Sequence, residues 1–440
     1  MPRIERSQGA APIRSLETPR FSTRTKVDDP VTSSTTSQTP HAGARRNSNV
    51  VVGMVVALAF SYGLQMYASV PAFSVIAADF DLRLSSVSLL VSAFFLGYAV
   101  AHVPAGFAGA AYGFKVVAVS GAGLLAASSA LFAVSNSFAL LLVSRLLGGV
   151  AMSMMVGTAI PIAAGWARPD RVRITVGGWV QGLGFTAGAA VALYAWTFVN
   201  ESLGWRSGMW VAAMIGLVAT VLAAILLVNP PKAAEHEKFS WSSTTRCLRS
   251  KSMWTIGLGS VGAYGGLFTV SQLGPGYAVS DLGLTASTAG LLSGIMLFLG
   301  IPGSILAGYI ADRSKRFIPV LLVPATLMVL CMFVLPFSTA VTFSIAIAGI
   351  GFLGSMYFAI VVVAPGEYED EISPRDYGTA LGLILTLGNA GAVLFPYVYG
   401  VMAEKVASNL GWLALAIIAA AACVALAATR EPRVSANREL

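Results

Sequence analysis

The sequence predicts an all-α polytopic membrane protein, with twelve transmembrane helices in two pseudo-symmetric six-helix bundles. Three observations predict it: very few charges, a succession of apolar runs of spanning length, and a likeness between the two halves. Only 11% of the 440 residues are charged while 56% are hydrophobic, and the mean hydropathy is +0.75. A soluble domain carries about 25% charged residues, so this composition excludes a soluble enzyme, a disulfide scaffold and a mainly disordered chain. The three cysteines, Cys247, Cys331 and Cys423, are far apart and match no metal or redox spacing, and Cys331 and Cys423 fall in apolar runs.

The twelve runs lie at 50–77, 85–108, 116–134, 138–165, 174–199, 207–228, 253–278, 286–310, 318–337, 341–364, 378–402 and 411–428. A helix crosses the hydrocarbon core with about 20 residues, and a helix satisfies its own backbone groups inside one apolar segment. The resulting organisation is a polar tail at 1–48, a six-helix bundle at 49–228, a linker at 229–252, a second bundle at 253–430 and a tail at 431–440. Residues 1–48 hold eight Lys/Arg, four Asp/Glu and no apolar run, so they are expected to be disordered. With the amino terminus in the cytoplasm, 24 of the 28 Lys and Arg fall on that side and only Arg83, Arg206 and Lys405 on the other. The asymmetry predicts that both termini are cytoplasmic. It also accounts for the net charge of +8 without invoking nucleic acid.

The halves repeat one another. Asp81-Leu82-Arg83-Leu84-Ser85 recurs as Asp281-Leu282-Gly283-Leu284-Thr285, and Gly178 and Gly184 match Gly382 and Gly388. Ser85 and Thr285 stand where N-caps of spans 2 and 8 would. The pairs Gly178/Gly182, Gly184/Gly188, Gly262/Gly266, Gly290/Gly294 and Gly378/Gly382 have the four-residue spacing that lets membrane helices approach closely. Duplicated bundles are a transporter architecture, with a solute site near mid-membrane between the halves.

Between spans 8 and 9 the chain reads Gly308-Tyr-Ile-Ala-Asp312-Arg313-Ser-Lys315-Arg316. This resembles the signature loop of the major facilitator superfamily. Between spans 2 and 3 the frame glycines, including Gly106, and the basic Lys115 recur, but Ala110 and Ala111 stand where that family has Asp and Arg. Span 4 carries Arg145-Leu-Leu-Gly148-Gly149, similar to the family's arginine-containing second motif. The stretch Glu371-Ile-Ser-Pro374, then Gly378 through Gly388-Asn389-Ala-Gly391 to Pro396, resembles the cyanate and nitroimidazole permease branch and anion symporters more broadly. The family's antiporter motif in span 5 needs Gly-Pro, whereas here Ala189 follows Gly188. The resemblance implies the major facilitator fold, rocker-switch transport, and a cavity lined by spans 1, 4, 7 and 10. It implies gating by Gly106, Lys115, Gly308, Asp312, Arg313, Lys315 and Arg316, with Asp312 stabilised at a helix N-terminus and the basic residues closing the cytoplasmic side in one state.

No Asp, Glu or Lys lies well inside any span, and Arg145 is the one formal charge at depth. Intramembrane arginines mark substrate or ion paths, although bonding to carbonyls within the bundle is the structural alternative. A cation carrier needs a carboxylate in its cavity, whereas a lone guanidinium suits a small carboxylate or oxyanion. The remaining candidate solute-binding side chains are Tyr62 and Gln65 with Met66 in span 1, Ser153 in span 4, Gln181 in span 5 and Tyr264, Thr269 and Gln272 in span 7. Ser355 and Tyr357 in span 10 and Asn389 in span 11 complete them. His102 is the candidate for protonation coupling.

The predicted function is alternating-access transport of a small organic or inorganic anion. Efflux of a neutral or apolar compound is the alternative within transport. A receptor or scaffold on the same fold is the alternative outside it. No set of paired acids, metal-ligand cluster or nucleophile with a base exists at helix depth, and no phosphate-cradling loop is present, so no enzyme activity, metal or cofactor is expected. The partners expected are a small solute, the lipid bilayer and, as an open case, a coupling ion, for a monomer in the plasma (bacterial inner) membrane. Removing residues 2–44 should leave folding and transport intact, since that segment has no apolar surface to contribute. A truncated chain that elutes aggregated in detergent would show the tail to be structural.

Overall fold

The structure, a computed structural model, describes residues 42–168, 171–172, 174–230, 241–314, 316–373 and 376–432. The tail at 1–41, linker positions 231–240, Lys315 and residues 433–440 lie outside the described residues, as does the side chain of Asp312. Every regular element among the described residues is helical. Spans 1 to 6 are Ala42–Tyr67, Leu84–Tyr112, Phe114–Ala133, Phe138–Trp166, Ile174–Leu203 and Trp205–Leu226. Spans 7 to 12 are Lys251–Ser280, a pair of helices (Ala286–Phe298 and Gly300–Arg313), Phe317–Val334, Ala340–Val361, Tyr377–Lys405 and Ser408–Ala427. Eleven of these rods are apolar and long enough to cross a membrane. Span 7 is long enough but too rich in Gly, Ser, Tyr and Gln to pass on apolarity.

Local chemistry explains the boundaries. The hydroxyls of Ser137, Ser250, Thr285 and Thr339 each accept from the backbone N–H three residues on, capping spans 4, 7, 8 and 10. Ser85 does not cap span 2, whose helix already starts at Leu84; its hydroxyl donates to Glu404 instead. Gly113 and Gly204, at φ +91° and +78°, make the tight joints between spans 2 and 3 and between spans 5 and 6. The helix of span 1 stops at Tyr67, and the chain continues through a turn at Val70–Ala72 into a short helix, Phe73–Asp79. Pro71 in that turn has no N–H to continue the ladder. The inner half of span 5, Ile174–Thr186, is π-helical rather than α-helical.

Without a hydrophobic force between helices in lipid, close packing holds the bundles together, and glycines meeting backbone carbonyls do this twice over. In the first bundle, Gly97 abuts the Leu146 carbonyl and Gly149 the Phe94 carbonyl, locking spans 2 and 4, while Gly63 and Gly188 lock spans 1 and 5. In the second, Gly303 and Gly351 lock spans 8 and 10 in the same reciprocal way, and Gly391 meets Val261 between spans 11 and 7. The pairing 2–4 and 1–5 is thus repeated as 8–10 and 7–11. Of the glycine pairs singled out by spacing, Gly184/Gly188 and Gly290/Gly294 sit at such approaches, as does Gly262 against Ala419, while Gly266 meets the Met328 and Met332 side chains. Gly178/Gly182 and Gly382 do not.

Two seams join the bundles, span 2 against span 11 and span 5 against span 8. At the end away from the termini both are tight. There Gly400 abuts Ser88, the Ser92 hydroxyl donates to the Val393 carbonyl at 2.7 Å, and Arg83 pairs with Glu404 at 3.2 Å. Gly290 and Gly294 press on the Leu193 and Ala190 carbonyls across the other seam. Toward the termini the seams loosen. A Cβ on Gly382 or Gly182 would come no nearer than 4.0 Å to the opposite bundle, at Val103 and Ile301. The molecule is interlocked at the far end and more loosely packed, though still in contact, toward its termini.

The linker helix Trp241–Arg249 docks on the second bundle, where Arg246 pairs with the buried Asp376 at 2.9 Å. Cys247 is 1% exposed beneath it, and burial pushes its thiol up to about 11. The glycine locks can be tested one at a time. Gly149→Val and Gly351→Val should each lower thermal stability in detergent, by about 1–3 kcal/mol or more for an overpacked contact. Gly276→Ala, which adds a methyl into open space, should have little effect by the same melting measurement.

Candidate functional site

Span 7 is the helix that builds the centre. Between Gly262 and Gly274 every residue except Phe268 is buried, on all faces of the helix. Such a rod is shielded from lipid all round, so its polar side chains face protein or a cavity and cost little there. Its last exposed-to-partner turn meets three spans of the first bundle. Phe268 stacks on Phe95 of span 2 with centroids 4.6 Å apart, and Ser271 Oγ lies 2.9 Å from the Tyr67 hydroxyl of span 1. Gln272 Oε1 accepts from Arg145 Nη2 of span 4 at 3.4 Å. These contacts form a roof between the bundles.

Arg145 is 4% exposed. Its Nη1 donates to the Met66 carbonyl at 3.1 Å and its Nε to the Leu90 carbonyl at 3.2 Å, and the guanidinium lies 4.5 Å from the centre of the Phe94 ring. Met66 is in the last turn of the span 1 helix, where carbonyls lack intrahelical partners and the helix dipole is negative. The arginine therefore caps span 1 from the side. All three of these acceptors are neutral oxygens, which solvate the cation without cancelling its charge. A cavity of about 10 Å³, room for one water, adjoins it inside the first bundle, lined by residues including Gln65, Ser129 and Ser144.

Below the roof, toward the termini, lies a set of tyrosines. Tyr62 of span 1 packs 5.6 Å from Phe185, and Tyr264 of span 7 packs 5.3 Å from Phe358 of span 10. Tyr98 of span 2 lies in the neighbourhood of both Tyr62 and Tyr264. The hydroxyls of Tyr62, Tyr264 and Thr269, the Gln272 Nε2 and the Asn389 Oδ1 are buried and have no protein partner. A buried polar group without a protein partner is costly, and each such group is a place where a water or another molecule can complete the bonding. Tyr98, Phe95, Tyr67 and Ser271 are absent from the residues singled out by sequence; nothing in the apolar pattern distinguishes a packed tyrosine from a lining one.

The other expected residues separate into groups. Tyr357 bonds Ser260 at 2.9 Å within the second bundle, and the Asn389 amide N–H donates to the Leu385 carbonyl, leaving its oxygen free. Ser153 lies 3.2 Å from His102 Nδ1, and that ring packs against Tyr98 at 5.2 Å. Gln65 departs from its expected lining position. It turns into the first bundle, accepting from Ser129 at 2.9 Å and donating to Ser61, and presses against Gly216 of span 6. Gln181 sits half-buried in the π-helical segment, its carbonyl held by Thr186 at 3.0 Å. Among the residues expected to gate, Gly106 and Gly308 face open space, Arg313 lies over the Tyr309 ring of its own helix at 3.8 Å, and Arg316 is exposed. The Lys115 backbone N–H is held by Asn229 at 2.9 Å.

Two pseudo-symmetric six-helix bundles around a polar centre, closed at one end, are the anatomy of an alternating-access carrier. The model of the Major Facilitator Superfamily matches residues 55–370, and the chain belongs to that family. It is a multi-pass membrane transporter of small solutes, not an enzyme. It is 25% identical over 359 residues to "Probable anion transporter 5" of Arabidopsis thaliana, covering 73% of this chain and 80% of that protein. It is 23% identical over 382 residues to the "Probable small intestine urate exporter" of Homo sapiens, covering 79% and 75%. Its fold matches the crystal structure of a bacterial homologue of the human lysosomal transporter Spinster in an inward-facing, unoccupied conformation. The TM-score is 0.71 at 14% identity, over 86% of this chain and 96% of that one.

The free hydroxyls make a direct prediction. Tyr62→Phe and Tyr264→Phe should leave thermal stability unchanged or raised by about 1 kcal/mol, because each removes an unsatisfied buried group. Both should weaken solute binding. Tyr357→Phe, which breaks a bond to Ser260, should instead lower the melting temperature.

Proposed function

We propose that this transporter carries a small organic or inorganic anion. The observation that supports this is the environment of Arg145, a buried cation whose three hydrogen-bond acceptors are all neutral. A buried guanidinium left without a counter-charge is unfavourable, and an entering anion supplies that charge. The unpartnered groups nearby point the same way. Tyr62, Tyr264 and Thr269 keep buried hydroxyls that can donate to an anion. Relatives described as an anion transporter and a urate exporter agree with this reading.

With both termini in the cytoplasm, the more loosely packed end is the cytoplasmic one. The solute then enters or leaves between the loosened inner parts of spans 2 and 11 and of spans 5 and 8. Gly106, Lys115, Gly308, Arg313 and Arg316 lie at that mouth and, with Asp312 and Lys315 of the same sequence motif, close the cytoplasmic side in the opposite state. His102, beside Ser153 and Tyr98, is the protonatable group of this vestibule.

Uptake into proteoliposomes with a panel of small anions and matched neutral analogues tests the assignment. Arg145→Gln should weaken an anionic substrate by about 10- to 100-fold, the size of one lost charge-assisted contact, and a neutral analogue little. Arg145→Lys should rescue only in part, because an ammonium cannot reach Met66, Leu90 and a solute at once. Equal loss of anion and neutral analogue in a monodisperse Arg145→Gln protein would overturn the anion assignment.

A further inference from the structure

Arg145 has two kinds of partner. Its bonds to the Met66 and Leu90 carbonyls stay within the first bundle and hold the guanidinium in place whatever the second bundle does. Its bond to Gln272 crosses between bundles. That bond is also the weakest of the three, 3.4 Å to a neutral amide oxygen, where a carboxylate would sit at about 2.7–2.9 Å. Gln272 is 1% exposed, and its own Nε2 finds no acceptor. An amide that satisfies half of itself on a guanidinium, with a spare donor beside it, occupies the place of an anionic oxygen imperfectly.

We propose that Gln272 is an internal stand-in for the transported anion, a positioning residue that takes the free arm of Arg145 when the far side closes and yields it when a solute occupies the site. This deepens the anion reading and rests on it. The bundles separate at this roof when the far side opens, so the guanidinium arm is exposed there and binds the solute at full strength. In the state seen here Gln272 competes for the same N–H, which lowers the affinity for an anion while the far side is closed. Linkage requires the reverse as well: an anion held by Arg145 weakens the closure at the roof. Phe95 with Phe268 and Tyr67 with Ser271 complete the seal but involve no group the solute needs.

The test uses two near-isosteric changes, Gln272→Met, which removes the acceptor, and Gln272→Glu, which strengthens it. The reporter is Ser69→Cys, fully buried beside the Val70–Ala72 turn where span 1 meets span 7, labelled from the far side with a membrane-impermeant maleimide and no ligand. Gln272→Met should raise the labelling rate by about threefold or more, and Gln272→Glu should reduce it below the parent. In an Arg145→Gln background both effects should vanish, since contacting residues couple non-additively. With an anion identified by the uptake panel, Gln272→Glu should lose binding by at least about tenfold and Gln272→Met should bind tighter. Labelling that moves in the same direction in both variants, or a Gln272→Glu effect that survives Arg145→Gln, would reduce Gln272 to packing. Correct labelling together with unchanged anion binding in Gln272→Glu would leave the closure contact but overturn the stand-in role. Failure of Arg145→Gln to separate anion from neutral analogue is the distinct result that sinks the anion reading itself.

Discussion

A guanidinium kept inside a membrane bundle without an acid beside it constrains everything around Arg145. It has to be solvated by main-chain oxygens, and helices offer few free ones. The break in span 1 after Tyr67 supplies one at Met66, and span 2 lends the second lone pair of Leu90. Spans 1, 2 and 4 are therefore fixed to one another through a single side chain, in addition to the glycine approaches of span 2 to span 4. The third bond reaches the opposite bundle, so the charge that organises the first half also registers the position of the second.

The seams divide the work differently at the two ends. Away from the termini, small residues and short polar contacts interlock, and these need exact fit to hold. Toward the termini, the same helices carry Val103, Ile301 and two glycines that only touch, at ordinary van der Waals distance. A carrier needs one end rigid and the other loose at any moment, and packed interfaces are bistable rather than continuously deformable. The tight and loose ends here are that condition read from side-chain size.

Much of this was legible in the amino-acid order because membrane helices obey two strong rules, apolar length and charge asymmetry. The twelve rods, the duplicated halves and the isolation of Arg145 follow from those rules, and the Thr285 cap from simple turn chemistry. The orientation of individual side chains did not follow. From Ser61 on, span 1 is buried on all sides, so no amphipathic stripe tells which way Gln65 or Tyr62 points, and Gln65 turned inward to Ser129. Pro71 is the one local signal for the break that exposes the Met66 carbonyl, and its use depends on an arginine 74 positions further on. Ser85 reads as a cap until Glu404, from the other half of the chain, is brought beside it. The π-helical half of span 5 has only its glycines as a clue, and glycine allows many backbones without choosing one.

Span 7 has a consequence for how the protein is made. Its glycines and polar side chains leave it less apolar than its eleven neighbours, so it gains least from entering lipid alone. Its cover comes mainly from spans 11 and 12, which are synthesised more than a hundred residues later. During biogenesis the helix that makes the centre of the carrier waits, poorly shielded, for the end of the chain. Translation has to pass span 12 before the second half can settle, and termination between spans 7 and 11 strands its most polar helix against the acyl chains.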